Sequence, residues 1–182
     1  QEKPFNLSEA EMQQSVQRLL GKNAAAVLAA YKQAHPGASP SDINFLIETD
    51  ERYGAPTKVI AARKAAQQRG PVYLYRFDWE TPVAGGRLKT PHALEITFVF
   101  DNTKIGERYT GGGADAAALA DKMSDAWIAF ARTGNPNVPK LPQWPAYRLP
   151  DRPTMVFNNE SKVVNDPDKS TRVVMEKALG FG

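Results

Sequence analysis

The fold class is decided by the stretch Val72-Tyr73-Leu74-Tyr75-Arg76-Phe77-Asp78-Trp79, which is dense in aromatic side chains and predicts a β-strand. Up to Arg76 this stretch is apolar on both faces, as expected for a strand that lies between neighbours inside a sheet. A loop with Pro82 and Gly85-Gly86 follows and leads to His92. Because α/β sheets present reactive groups on loops that follow strands, we predict an α/β fold in which His92 stands on such a loop.

The first seventy residues predict a helical segment. Ser8 and Glu11 form a capping-box pattern at the start of one helix, and Asn23 is expected to cap a second. Ser39-Pro40 is a start signal for a third helix, and Pro56 opens a fourth. Four helices are therefore expected before the strand.

After His92 the pattern predicts one long helix, two short strands and a last helix. The long helix covers Asp115 to Thr133, and we expect Trp127 and Phe130 to lie in the core with the rest of its apolar stripe. Residues 154–157 and 162–164 predict strands joined by a turn, and a helix is expected from about residue 168 to 179.

Composition excludes several classes of function. The chain of 182 residues has 23 basic and 20 acidic side chains, spread without a basic block, so nucleic-acid binding is not expected. No apolar run reaches the roughly 20 residues needed to span a bilayer. Without cysteine, the compartment stays open between the cytoplasm and an oxidising one. His35 is interpreted as structural, because no second histidine or carboxylate stands at metal-ligand spacing from it, and the lack of cysteine excludes thiolate sites, so we predict no metal site.

His92 suits the role of a general base, but the chain has no evident group for it to activate. There is no G-x-S-x-G turn and no cysteine. The serines that precede His92 stand at predicted helix starts or faces, and they are Ser8, Ser15, Ser39 and Ser41. From the residues alone, a surface or structural histidine remains an open alternative.

Several ordered blocks resemble the C-terminal region of type B carboxylesterases, the α/β-hydrolase family that includes cholinesterases and bacterial para-nitrobenzyl esterases. The blocks are Pro71–Phe77, Pro91–Phe100, Trp127–Asn137, Leu141–Tyr147, Thr154–Phe157 and Val164–Pro167. The resemblance implies the C-terminal part of an α/β-hydrolase fold, with a helical segment over residues 1–70 and a sheet-and-helix part over residues 71–182. Both would belong to one incomplete domain.

The resemblance also implies roles for two residues. His92 matches the triad base, and Glu95 matches a carboxylate that supports the site rather than the triad acid. Ala93 stands where the family usually has glycine, so a left-handed backbone there would be strained by about 1–2 kcal/mol. Gly111-Gly112-Gly113 follows the base, where no oxyanion loop is expected, and is interpreted as a turn.

The triad acid is not evident in the chain. The acidic residues nearest to the required position match no acid-bearing turn of the family, and they are Glu2, Glu48, Asp50, Asp78 and Glu80. We therefore expect the C-terminal portion of a serine carboxylester hydrolase, inactive without an N-terminal part that it pairs with, acting on an ester without any cofactor. The alternative is a non-catalytic binding or assembly module derived from the esterase fold, with self-association as a further expectation.

Overall fold

A computed structural model describes residues 3–181, so the candidate acid Glu2 lies outside the described residues. The chain divides into two compact units, one formed by the residues up to Ile60 with those from Asp168 onward, the other by Ala61–Pro167. In chain order the helices and strands are α1 Glu9–Leu20, α2 Ala24–Ala34, α3 Pro40–Thr49, α4 Ala55–Ala66, β1 Leu74–Phe77, α5 Glu95–Val99, α6 Glu107–Thr110, α7 Ala114–Thr133, β2 Pro153–Phe157, β3 Lys162–Asn165 and α8 Lys169–Ala178. The division of the sequence at residue 70 stays a prediction.

Local capping signals shape the helices of the first unit. The Ser8 hydroxyl accepts a hydrogen bond from the Glu11 amide, and the Glu11 carboxylate accepts one from the Ser8 amide, as predicted. Ser39 and Asp42 form a second box of this kind at α3. The predicted cap at Asn23 is wrong, because Asn23 has helical backbone angles and its side chain donates to the Ala178 carbonyl oxygen.

The core of the first unit lies between α1, α2, α3 and α8. Its buried side chains include Met12, Val16, Val27, Tyr31, Ile43, Ile47 and Met175. The last helix therefore packs against the N-terminal helices, with which it shares this core. No helix within the described residues is both long and apolar enough to cross a bilayer.

The second unit holds a three-stranded sheet in the order β1-β2-β3. β1 runs parallel to β2, with Phe77 opposite Phe157, and β3 runs antiparallel to β2. The prediction that Val72–Trp79 lies between neighbours is wrong for the described residues, because β1 is an edge strand with half-buried residues. β2 is the central strand and is buried throughout. The antiparallel pair predicted for residues 154–164 is confirmed.

Helices α5 and α7 cover one face of this sheet. Phe98, Leu119, Met123, Met155 and Phe157 form the centre of that core. The expectation that Phe130 is buried is wrong, because the residue is 47% exposed; its ring forms a T-shaped pair with Tyr73. Trp127 is half-buried and packs against Tyr75 and Phe157. Gly134 ends α7 in the left-handed conformation that the sequence predicted.

Candidate active site

The loop that leads to His92 is closed on itself and tied to the carboxyl end of β1. The Thr81 amide donates a hydrogen bond of 2.9 Å to the Lys89 carbonyl oxygen, which closes the loop on itself. The Thr90 hydroxyl donates one of 2.9 Å to the carbonyl oxygen of Trp79, two residues after β1 ends. His92 is therefore held two residues from an anchor at the edge of the sheet.

A second set of contacts holds the same loop against the segment around α6. The buried Thr81 hydroxyl donates to the Tyr109 carbonyl oxygen at 2.5 Å and accepts from the Val83 amide at 3.2 Å. Gly111 lies so close to Pro82 that a Cβ on it would come within 2.7 Å of the proline Cγ. Gly111 and Gly112 both have left-handed backbone angles, so this glycine run forms a turn, as predicted.

His92 itself is exposed and lies in a tight turn that leads into α5. The Leu94 amide donates to the Pro91 carbonyl oxygen at 3.1 Å, and the Leu94 side chain is buried in the core. Ala93 has φ of +67°, the left-handed region in which the family's usual glycine carries no penalty. The backbone beside His92 is thus strained, and Leu94 packing holds it in place.

Glu95 is half-buried at the first position of α5. Its charge acts on Tyr75 of β1, since burial first and the Glu95 carboxylate second raise the pKa of the tyrosine hydroxyl. The Glu95 carboxylate is therefore close enough to β1 for its charge to act on a side chain of that strand.

Three of the four serines that precede His92 have structural roles, and the fourth, Ser15, lies inside α1. Ser8 and Ser39 cap helices, and Ser41 accepts a hydrogen bond from the Leu7 amide at 2.9 Å. In the unit that contains His92, Ser124 and Ser161 each donate to a backbone carbonyl oxygen. None of these six serines stands on a strand-to-helix turn that would expose a nucleophile.

Three of the acidic candidates are engaged in hydrogen bonds, and Glu80 is exposed. Asp78 forms a two-pronged pair with Arg76, at 2.7 and 2.6 Å. Asp50 accepts from Tyr31, and Glu48 accepts from Asn44. Among residues 3–181, no three carboxylate or imidazole groups come together at metal-binding geometry.

Comparison with known proteins decides the family. A model of the carboxylesterase family matches residues 3–175. The chain belongs to the carboxylesterase family. The chain is 33% identical, over 91% of its length, to the para-nitrobenzyl esterase of Bacillus subtilis, and covers 32% of that protein. It is 33% identical to the phenmedipham hydrolase of Pseudarthrobacter oxydans, covering 82% of this chain and 30% of that enzyme.

Solved structures give the same result for the fold. The chain matches a Geobacillus stearothermophilus carboxylesterase with a TM-score of 0.78 and 36% identity, over 93% of this chain and 35% of the other. It also matches a thermophilic para-nitrobenzyl esterase with a TM-score of 0.65 and 30% identity, over 93% of this chain and 34% of the other. The fold is therefore part of an α/β-hydrolase fold, as predicted. The chain spans about a third of the length of the relatives it matches.

Sequence reasoning missed the two threonines that anchor the loop. Thr81 and Thr90 each precede a proline, and together they bracket the segment from Pro82 to Pro91. Proline fixes its own backbone and restricts the residue before it. A Thr-Pro pair at each end of a loop is the signal that could have located these anchors.

Proposed function

We propose that His92 is the general base of a carboxylester hydrolase whose serine nucleophile and triad acid lie outside these 182 residues. One observation carries the proposal: in a member of the carboxylesterase family, His92 follows a loop anchored to the carboxyl end of a parallel strand. α/β-Hydrolases place the nucleophile first, the acid second and the histidine last along the chain. A chain with the histidine alone is therefore compatible with the last part of such an enzyme.

His92 has one task at each half of the reaction. It takes the proton of the serine hydroxyl as that oxygen attacks the ester carbonyl, and it returns the proton to the departing alcohol. It then activates water in the same way to release the acyl group. Glu95 supports the positive charge that the imidazole gains in both steps. An exposed imidazole on an anchored turn suits this task, because a hydroxyl from another segment can reach it.

The activity test compares the chain alone with the chain mixed with a fragment that supplies a nucleophile and a triad acid. Alone, the parent and a His92→Ala variant should hydrolyse para-nitrophenyl acetate at the same background rate. Mixed with the upstream two thirds of the Bacillus subtilis para-nitrobenzyl esterase, the parent should gain turnover. His92→Ala should lower that turnover by about 10⁴-fold or more. Restored turnover that does not depend on His92 would contradict the proposal.

A second candidate function is a non-catalytic assembly module, which pairs with an upstream fragment or with itself. Ile96, Phe100 and Ile105, which lie close to His92 in the sequence, are exposed apolar side chains that favour an interaction surface. The same mixing experiment separates the candidates, because an assembly module binds without any gain in turnover. We prefer the esterase, since the anchored loop has no role in a module that only binds.

A further inference from the structure

Three large apolar side chains close to His92 in the sequence are exposed in the structure. Ile96 is 49% exposed, Phe100 is 71% exposed and Ile105 is 87% exposed. We call these three residues the α5 surface. Isolated exposed apolar residues are ordinary, but three within ten residues of one another on a short folded segment form a candidate for contact with another polypeptide.

Helix α5 and the residue that follows it present the first two of these side chains on one side. Ile96 and Phe100 are four residues apart, which is the helical spacing of neighbours, and the Phe100 amide donates to the Ile96 carbonyl oxygen at 3.1 Å. Leu94 and Phe98 are 3% and 0% exposed and pack in the core. Ile96 and Phe100 are therefore exposed because the opposite side of the helix packs in the core.

The turn after α5 holds the third side chain in a fixed place. The Asn102 amide donates to the Thr97 carbonyl oxygen at 2.9 Å, and the Gly106 amide donates to the Asn102 carbonyl oxygen at 3.0 Å. Gly106 packs so closely on α5 that a Cβ would lie 2.7 Å from the Thr97 Cγ2 atom. Ile105, between these contacts, is therefore exposed on a folded turn.

We propose that the α5 surface binds the upstream part of the esterase, which carries the nucleophile. This inference rests on the proposed function, because a serine hydroxyl must come within about 3 Å of the His92 imidazole. α5 begins three residues after His92, so a segment that brings a serine to His92 comes close to the helix. The relatives are about three times as long as this chain, which leaves ample polypeptide for such a segment. A second copy brings no nucleophile, so the α5 surface is assigned to the upstream part.

The test measures binding and turnover separately. The upstream two thirds of the Bacillus subtilis para-nitrobenzyl esterase is the probe, and its own downstream third is the positive control for a competent probe. Light scattering gives the stoichiometry, and titration calorimetry gives the Kd for the parent chain. Ile96→Ser and Ile105→Ser alter the α5 surface. Ile128→Ser is the matched control, because Ile128 is 48% exposed on α7.

We expect a one-to-one complex in which Ile96→Ser and Ile105→Ser each raise the Kd about tenfold or more, while Ile128→Ser changes it less than about twofold. Thermal unfolding of each variant alone shows whether it is folded, and Ile96→Ala replaces Ile96→Ser if that variant is not. Three results overturn the inference: no complex with a probe that binds its own downstream third, a complex insensitive to the α5 surface, or a homodimer of this chain that Ile105→Ser dissociates. If the complex depends on the α5 surface but its turnover does not depend on His92, the proposed function is overturned and the inference about the α5 surface is kept.

Discussion

Gly54→Ala tests the polar cluster of Tyr31, Asp50 and Lys58 in the first unit. Gly54 ends a wide helical turn, Asp50–Gly54, between α3 and α4. An alanine at a helical position is ordinarily about 0.5–1 kcal/mol more favourable than glycine. A Cβ on Gly54, however, would come within 1.9 Å of the Asp50 Oδ1 atom. The Asp50 carboxylate must therefore move if the substitution is made.

Moving that carboxylate disturbs its two partners. The Tyr31 hydroxyl donates to Asp50 Oδ2 at 2.6 Å, and Lys58 Nζ lies 3.6 Å from Asp50 Oδ1. Tyr31 is 1% exposed, so water cannot readily replace the carboxylate as its acceptor. A hydrogen bond to a charged group contributes about 1.5–3 kcal/mol. After the helical gain is subtracted, we expect Gly54→Ala to lower the free energy of unfolding by about 1–2 kcal/mol.

Urea unfolding followed by circular dichroism measures this change. Gly37→Ala is the control, because a Cβ there meets nothing within 4 Å, and its free energy of unfolding should stay within about 0.5 kcal/mol of the parent. In a Tyr31→Phe background the cost of Gly54→Ala should shrink toward zero, since the hydrogen bond at stake is already gone. A Gly54→Ala variant as stable as the parent would refute the reasoning.

Three further predictions follow from local contacts. Ala93→Gly relieves the left-handed backbone at +67° and should raise the free energy of unfolding by about 0.5 kcal/mol in urea, whereas Ala131→Gly inside α7 should lower it by about 0.5–1. Burial and the Asp50 charge raise the pKa of Tyr31, so the folded chain keeps that proton where the unfolded chain loses it. Stability should fall as the pH rises above about 10, and Tyr31→Phe should flatten that fall in urea midpoints measured from pH 9 to 11. Asn137→Ala removes two hydrogen bonds to the Trp144 backbone, at 2.6 and 2.9 Å, and should lower the urea midpoint by an amount equivalent to about 1–3 kcal/mol.

Sequence reasoning succeeded where the decisive contact is local. The Ser8–Glu11 capping box and the helix start at Ser39-Pro40 each lie within four residues, and the strand pair of β2 and β3 is closed by a short turn. It failed where the contact is remote. Asn23 turns away from its own helix to meet Ala178, which is 155 residues later. No local pattern carries that information, because the partner is supplied by the packing of α8.

The position of Val72–Trp79 in the sheet was mispredicted for the same reason. Val72–Trp79 has the composition of an interior strand, but β2 is the strand that pairs on both sides among the described residues. Composition reports how apolar the surroundings of a strand are, and it does not report which strands pair with it. Half-buried aromatic residues of β1 satisfy that composition by packing on α7 rather than by lying between two strands.

The same distinction between local and remote contacts applies to the candidate site. The hydrogen bonds that anchor the His92 loop run from Thr81 to Lys89, from Thr90 to Trp79 and from Thr81 to Tyr109, so each joins residues fewer than thirty positions apart. The position of the proposed base is therefore encoded within the chain itself. Under the proposed function its chemistry is not, because the hydroxyl that it would activate is assigned to another segment. A base that is already held in place loses little conformational freedom when a partner arrives, so association should restore turnover without refolding of the loop that carries His92.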